Sequence, residues 1–424
     1  MGKDAISKDQ GEDRSAALQL LTPLADVVRG TLMEFVVTVG MEALKKMLEE
    51  DRTRLCGRAY DRDRGAQGPS RAGSCTSSLV LGGRKVGVRR PRVRDANGEV
   101  ALPTWQAFAA EDPLRQRVLE QMLIGVATRR YERSLEPVPE SVKQRSTSKS
   151  TVSRKFIRET SKTVHKILKR DLRPLTIAAV MLDGIHVGDH VLLVALGIDE
   201  QGSKHVLGLR EGATENRGVC KALLQDLVER GLDNDKSTLF VIDGSKALRR
   251  AVLDVFDKRA VIQRCQVHKR RNVLDHLPEG TKASVGKVLT TTFSTRSFKL
   301  AQRQLTTLHR RLETEHPGAA ASLMEGFDEL LTVKAFELDK TLERSLSTTN
   351  PIENLNKTIR RVSKRVTRWR NGAMVVRWAG ASLLEAEKGF HRLKGYRSMP
   401  RLVAALRARD ASLGVDVDEA RKSA

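Results

Sequence analysis

Aromatic residues are scarce in this chain, 4% of 424 residues, which argues against a single-strand nucleic-acid binder built mainly on stacking platforms. Cysteine is scarcer still. Cys56, Cys75, Cys220 and Cys265 are too few and too scattered for a disulfide framework, so reduced thiols are expected. No apolar stretch of the roughly 18 residues needed to span a bilayer occurs. The opening MGKDAISKDQGEDRS has no apolar signal core, and Ser7 is misplaced for a myristoylation motif. A soluble cytoplasmic protein with no membrane partner is therefore expected. Acid is also in short supply, 52 Asp plus Glu against 76 Lys plus Arg, a formal charge of +24. Such an excess points to a polyanionic partner, nucleic acid first. With only 12 prolines and 31 glycines, a disordered tail does not explain it.

The length suffices for two or three domains. Residues 17–50 place Leu21, Leu24, Val28, Leu32, Phe35, Val36 and Val39 at helical spacing. Residues 57–78, rich in Gly, Arg, Ser and Asp, read as a mobile basic loop. The following SLVLGGRKVGVRRPRVRDANGEV alternates Val86, Val88 and Val93 with cations and carries an Asn97-Gly98 turn, which predicts a small basic hairpin. A helix is predicted from Pro113, a short one around Tyr131 to Leu135, and a third from its cap Ser148 to about Lys169. The third turns Val152, Phe156, Val164 and Ile167 inward and Lys149, Arg154, Lys155, Arg158 and Lys162 outward. Helix, turn and cationic helix make a helix-turn-helix candidate whose last helix would enter a major groove; a solvated charged face is the alternative.

From 174 the texture changes. LTIAAVMLD, HVLLVALGIDEQG and KHVLGLREG read as strands. A helix from Arg217 to Arg230, the strand TLFVID, a helix over 246–257 and the strand AVIQRC follow. Three strands, then helix, strand, helix, strand is the order of a ribonuclease H-like α/β core with helices on both faces. After Leu277 the chain turns helical to about Leu342, with Leu305, Leu308 and Leu312 on one seam. TTNPIENLNKTIRRVSKRVTRWR then predicts one long helix capped by Asn350. Ile352, Leu355, Ile359, Val362, Val366 and Trp369 form its apolar seam, and Glu353 heads a stripe of Lys357, Arg360, Arg361, Lys364 and Arg368.

Two apolar runs end on an aspartate: AAVML on Asp183 and LFVI on Asp243. Asp-Gly is common turn chemistry, and Glu353 could merely favour a helix N-terminus. Together, beside so much positive charge, two aspartates and a glutamate suit the carboxylate clamp that holds two Mg²⁺ ions about 3.5–4 Å apart in phosphoryl transfer. HVGDH, with His186, Asp189 and His190, reads as a hairpin turn rather than a ligand set.

The stretches VMLDGIHV, LFVIDGSKALRRAV, RCQVHKRRNVLDHLP and TTNPIENLNKTIRR, preceded by SKSTVSR, resemble the Mutator-like family of bacterial insertion-sequence transposases over about residues 90–410. The resemblance implies a catalytic triad on Asp183, Asp243 and Glu353 that binds two Mg²⁺ ions, or Mn²⁺. It implies double-stranded DNA at element ends and target as partner, a homo-oligomer such as a dimer on DNA, and a place at the nucleoid. It implies an all-α insertion, which would account for the long gap between Asp243 and Glu353. The expected domains are 1–110 and 111–170 for DNA binding, 171–278 for the first part of the core, 279–342 for the insertion and 343–424 for core completion. Cys265 and His268 match the family's Cys-x-x-His element; a structural role beside the active site, or DNA contact from His268, Lys269, Arg270 and Arg271, is expected over zinc, which wants four ligands. DNA contact is further expected from Lys149, Arg154, Lys155, Arg158, Lys357, Arg360, Arg361 and Lys364. The alternatives are a non-catalytic DNA-binding regulator, which would gain nothing from acids set beside phosphates, and a nuclease without strand transfer.

Overall fold

A computed structural model describes residues 35–60, 68–81, 84–109, 113–135, 144–145, 148–212, 214, 216–364 and 366–414. Leu21, Leu24, Val28 and Leu32 lie outside the described residues. Two compact units divide the chain at Glu159 and Thr160.

In the first unit a helix over 35–56 (α1) buries Met41, Leu44 and Leu48 while Phe35, Val36 and Val39 remain exposed. Its buried side meets an antiparallel sheet of β1 (Ser70–Leu81), β2 (Arg84–Asp95) and β3 (Gly98–Val100). The predicted alternation holds: Val86, Val88 and Val93 are buried, and cations adjoin each of them in the strand. The loop expected through residue 78 is overturned, since β1 starts at Ser70 and pairs with β2 along nearly its whole length. Serine-rich sequence hid a strand because one face of it needs little apolar cover. Helices α2 (Pro103–Ala109) and α3 (Pro113–Leu123) follow. The short helix expected near Tyr131 is two single 3₁₀ turns, Thr128–Arg130 and Glu132–Ser134, flanking a buried Tyr131. β4 (Gln144–Arg145) adds to β2. Helix α4 (Lys149–Leu168) then begins where Ser148 caps the Thr151 amide at 3.3 Å, and it crosses the division between the units.

The second unit is built on a mixed five-stranded sheet. β5 (Ile177–Val187), β6 (His190–Asp199) and β7 (Lys204–Gly212) run antiparallel; α5 (Arg217–Glu229) leads to β8 (Thr238–Ile242), and α6 (Lys246–Phe256) to β9 (Ala260–Arg264). The order is β7-β6-β5-β8-β9, with β8 parallel to β5 and β9 parallel to β8. Strand side chains alternate between two cores, which explains why the runs are apolar throughout. Val180, Leu182, Phe240 and Ile242 pack with α5 and α6. Ala179, Met181, Leu239 and Val241 pack on the opposite side.

After β9 come α7 (Gln266–Asp275), α8 (Glu279–Ser294), α9 (Phe298–Glu315) and α10 (Pro317–Met324), which share a separate core including Leu305, Leu308 and Leu312. α11 (Lys340–Leu346), α12 (Asn350–Ser363), α13 (Gly372–Glu387) and α14 (Met399–Ser412) complete the chain, and the last three cover the second face of the sheet. Polar clamps fix this cover. Arg170 grips Glu387 through two 2.7 Å bonds, and buried Asp410 accepts from Ser237 N at 2.8 Å at the entry to β8.

Two expectations for α12 fail. Its N-cap position is Thr349, not Asn350, and the helix stops at Ser363, so Val366, Arg368 and Trp369 do not extend the seam. Trp369 instead lies over the β5–β6 turn. Gly188 there has φ +60°, and a Cβ on it would meet the indole Cδ1 at 2.6 Å, so glycine serves both the backbone and the close approach. The turn at Gly188 and Asp189 is the hairpin expected of HVGDH.

Candidate active site

Asp183 does not stand at a strand tip. β5 continues to Val187 because β6 goes on pairing with it, Asp183 facing Val194. What ends here is the pairing on the other side, where Met181 opposite Val241 is the last β5–β8 pair. Continuing that parallel register sets Asp183 beside Asp243, the first residue past β8. Both have the parity of Met181 and Val241, so both face the layer that holds α12 rather than α5 and α6. From α12, Glu353 occupies the first turn.

Three elements thus bring carboxylates into one electrostatic neighbourhood, though their oxygens do not all lie within 4.8 Å of one another, and Asp183 registers the proximity. Burial first, then the negative charge of Asp243, push its pKa up to about 6, with a smaller contribution from Glu353; the Asn356 bond and the nearby His268 pull the other way. Among the described residues, no Lys or Arg forms an ion pair with any of the three acids.

Each acid is held by a different device. Asn356, 2% exposed on the inner side of α12, donates from Nδ2 to Asp183 Oδ2 at 2.7 Å. Asp243 Oδ1 accepts from Ser245 N at 2.9 Å, and Ser245 in turn caps α6 through the Leu248 amide. Glu353 Oε1 accepts from the Thr349 hydroxyl at 2.7 Å. Thr349, fully buried, is a junction: its Oγ1 also lies 3.2 Å from Cys265 Sγ and 3.3 Å from His268 Nδ1. One hydroxyl proton serves one acceptor at a time, and the shortest partner is Glu353. A protonated His268 can then donate from Nδ1 to Thr349 Oγ1 and turn its Nε2–H toward Glu353 Oε1 at 3.8 Å.

Cys265, His268 and Glu353 have donor atoms within 4.8 Å of one another. A structural zinc site wants four ligands, and among the described residues no fourth joins them. The thiol serves instead as a hydrogen-bond acceptor. Burial pushes the Cys265 thiol up, yet bonds from His268 and Thr349 outweigh it and hold it below the usual thiol range. The bond with Cys265 raises His268 against its own burial.

The expected contacts sort clearly by exposure. Lys149, Arg154, Arg158, Lys357, Arg360, Arg361 and Lys364 are exposed, and Lys155 is half-buried with a bonding partner. Lys269 is not free to touch DNA. It is buried, its ammonium held by the carbonyls of Ser322 at 2.6 Å and Glu325 at 2.7 Å; burial first, then the charge of Arg264, lower its pKa to about 8. Four cations in RCQVHKRRN therefore overstate its electrostatic reach. Thr349 and Asn356 escaped sequence reasoning. The one available signal was an asparagine between Leu355 and Ile359 on the buried side of an amphipathic helix.

Residues 14–392 match the family described as Transposase, Mutator family. This chain belongs to that family. It is 26% identical to the transposase for insertion sequence element IS1081 of Mycobacterium tuberculosis, covering 92% of either chain. It is 27% identical to the transposase for IS905 of Lactococcus lactis, over 78% of this chain and 84% of the relative. Against the transposase for ISRM5 of Rhizobium meliloti it is 25% identical, over 93% and 96%. In this family member, no helix among the described residues is long and apolar enough to cross a membrane.

Proposed function

We propose that this transposase cleaves DNA at the ends of an insertion sequence and joins the freed 3′-hydroxyl to target DNA, in a ribonuclease H-like core interrupted by the helices over 279–342. The observation that carries the reading is the approach of Asp183, Asp243 and Glu353 from two parallel-paired strands and one helix, with no Lys or Arg ion-paired to them among the described residues. An all-oxygen set with an elevated Asp183 suits a hard divalent cation, because a cation relieves the repulsion that raises the pKa.

Asp183, Asp243 and Glu353 would hold Mg²⁺ or Mn²⁺, which when bound supplies activation of the attacking oxygen and charge relief at the leaving one. Asn356, Ser245 and Thr349 hold these acids in place, the preorganisation such a site requires. The exposed Lys357, Arg360, Arg361 and Lys364 on the same helix would guide the phosphate backbone toward it. α3 and α4 with the turns between them are the proposed helix-turn-helix, supported by the exposure of Lys149, Arg154 and Arg158. Double-stranded DNA is the proposed partner, with a dimer assembling on it at the nucleoid.

A strand-transfer assay with labelled element ends and Mg²⁺ tests the reading. Cleaved ends joined to target are expected. Cleavage without joining would make the chain a nuclease, and binding without either would make it a regulator.

A further inference from the structure

A cavity of about 430 Å³ opens between α7, α8 and α11. Its wall includes Gln266, next to Cys265, and Thr348, next to Thr349, so it adjoins the junction that holds Glu353. Two chemistries meet in it. Phe293 and Val267, the latter 47% exposed, supply an apolar surface. Arg270, Arg296, Lys340 and Arg344 are all exposed, and none forms an ion pair among the described residues. The one acid in the lining, Glu343, is already taken by buried Lys334. The cavity therefore presents four cations with no uncommitted acid. Ser347, 2% exposed, also lines it, and its Oγ is buried with no hydrogen-bond partner. An orphaned hydroxyl in a native fold calls for a missing partner.

We propose that this cavity receives a single unpaired nucleotide of the DNA strand, its base against Phe293 and Val267 and its phosphate among Arg270, Arg296 and Arg344. The volume lies within the roughly 300–1,000 Å³ typical of small-molecule sites and far below what a duplex needs. Aromatic faces accept any base, and guanidinium groups bind phosphate oxygens. Holding one nucleotide out of the stack beside Glu353 would fix the strand relative to the carboxylates. The inference rests on the reading of Asp183, Asp243 and Glu353 as the phosphoryl-transfer site, which is what brings DNA to this end of the sheet.

The test uses the full chain without metal at moderate salt. It compares a short paired duplex with the same duplex carrying one bulged 2-aminopurine, read by anisotropy and by base fluorescence. The bulged duplex is expected to bind roughly 5- to 150-fold tighter, the range for one stacked base. Arg344→Ala should reduce that preference, and Phe293→Leu, which keeps the apolar packing, should remove most of it. Affinity for the paired duplex should stay unchanged in both. Equal affinity for the two duplexes, or a preference untouched by both substitutions, overturns the proposal. Asp243→Asn, assayed for cleavage in a parallel reaction with Mg²⁺, separates this from the catalytic reading. A variant that still cleaves while the bulge preference persists sinks only the triad, and lost cleavage without any preference in the parent sinks only the pocket.

Discussion

The first turns of α12 carry Thr349, Glu353 and Asn356 toward the sheet, whereas its last turns expose Lys357, Arg360, Arg361 and Lys364. Both halves continue one apolar seam, so packing alone does not distinguish them. They differ in what surrounds the polar side chains. At the start, the Glu353 carboxylate and the Asn356 amide have fixed partners, Thr349 and Asp183; at the end, the cations are exposed. One helix thus divides its labour between chemistry that needs rigid geometry and attraction that needs only charge.

The sharpest break in that comparison comes from the carboxylates. Asp243→Asn or Glu353→Gln should lower cleavage at least roughly 1,000-fold, as loss of an essential group does. DNA affinity by anisotropy should remain within about twofold, because phosphate contacts supply that affinity. A variant that keeps cleaving would remove the inner half of α12 from the chemistry.

Next in size are the groups that hold the acids. Thr349→Val and Asn356→Leu should each cost about 10- to 100-fold in cleavage, the usual penalty for removing a supporting hydrogen bond at a metal site. Raising Mg²⁺ should recover part of it, and Thr349→Ser should stay near the parent. A loss that excess Mg²⁺ cannot touch, with lowered Tm, would make both residues packing groups only.

Reversing Arg361 and Lys364 to Glu should slow cleavage roughly tenfold at moderate salt, with less effect at high salt, since exposed charges act through a screened field. Tm should hardly move, as both side chains are exposed. Full activity in this variant would erase the contrast between the two halves.

The smallest effect is one of pH. Asp183, with its pKa raised to about 6 from the usual 3.8, binds its proton more tightly folded than unfolded. Metal-free stability should therefore fall as pH rises from about 4 to 6 and stay reduced above that. Asp183→Asn should stabilise the metal-free protein at pH 8 by about 1–3 kcal/mol, the worth of one to two pKa units, and not at all near pH 3. Cleavage at limiting Mg²⁺ should decline below about pH 6, because the protonated acid competes with metal. Calorimetry across pH that finds no gain for Asp183→Asn would contradict the electrostatic account of the site.

Much of this arrangement was legible in the sequence. Continuous apolar runs mark β5, β6 and β8 because helices cover both faces of the sheet. The two aspartates stand out by ending such runs. Their shared orientation is a matter of register, and register depends on which strand pairs with which; no spacing in the chain states that β8 lies beside β5. Asp183 looked like a terminus because Gly184 follows it, while the strand persists through backbone pairing with β6. Thr349 carried no signal of its own beside Asn350, the residue expected to cap the helix, because its role is set by Cys265 and His268, neighbours far away in the chain, as well as by Glu353. The apolar period of α12 runs on to Trp369 in sequence, but periodicity cannot tell a helix seam from a side chain claimed by a glycine turn.

That indole has a practical side. The chain has three tryptophans, and Trp369 is half-buried over Gly188, the turn at the end of the strand that carries Asp183, a few residues beyond the helix that carries Glu353. Indole emission shifts with local polarity, so the protein carries its own optical gauge of whether those two pieces stay together. With Trp105 and Trp378 replaced by Phe, that gauge would report on this corner alone, in solution and without an added dye.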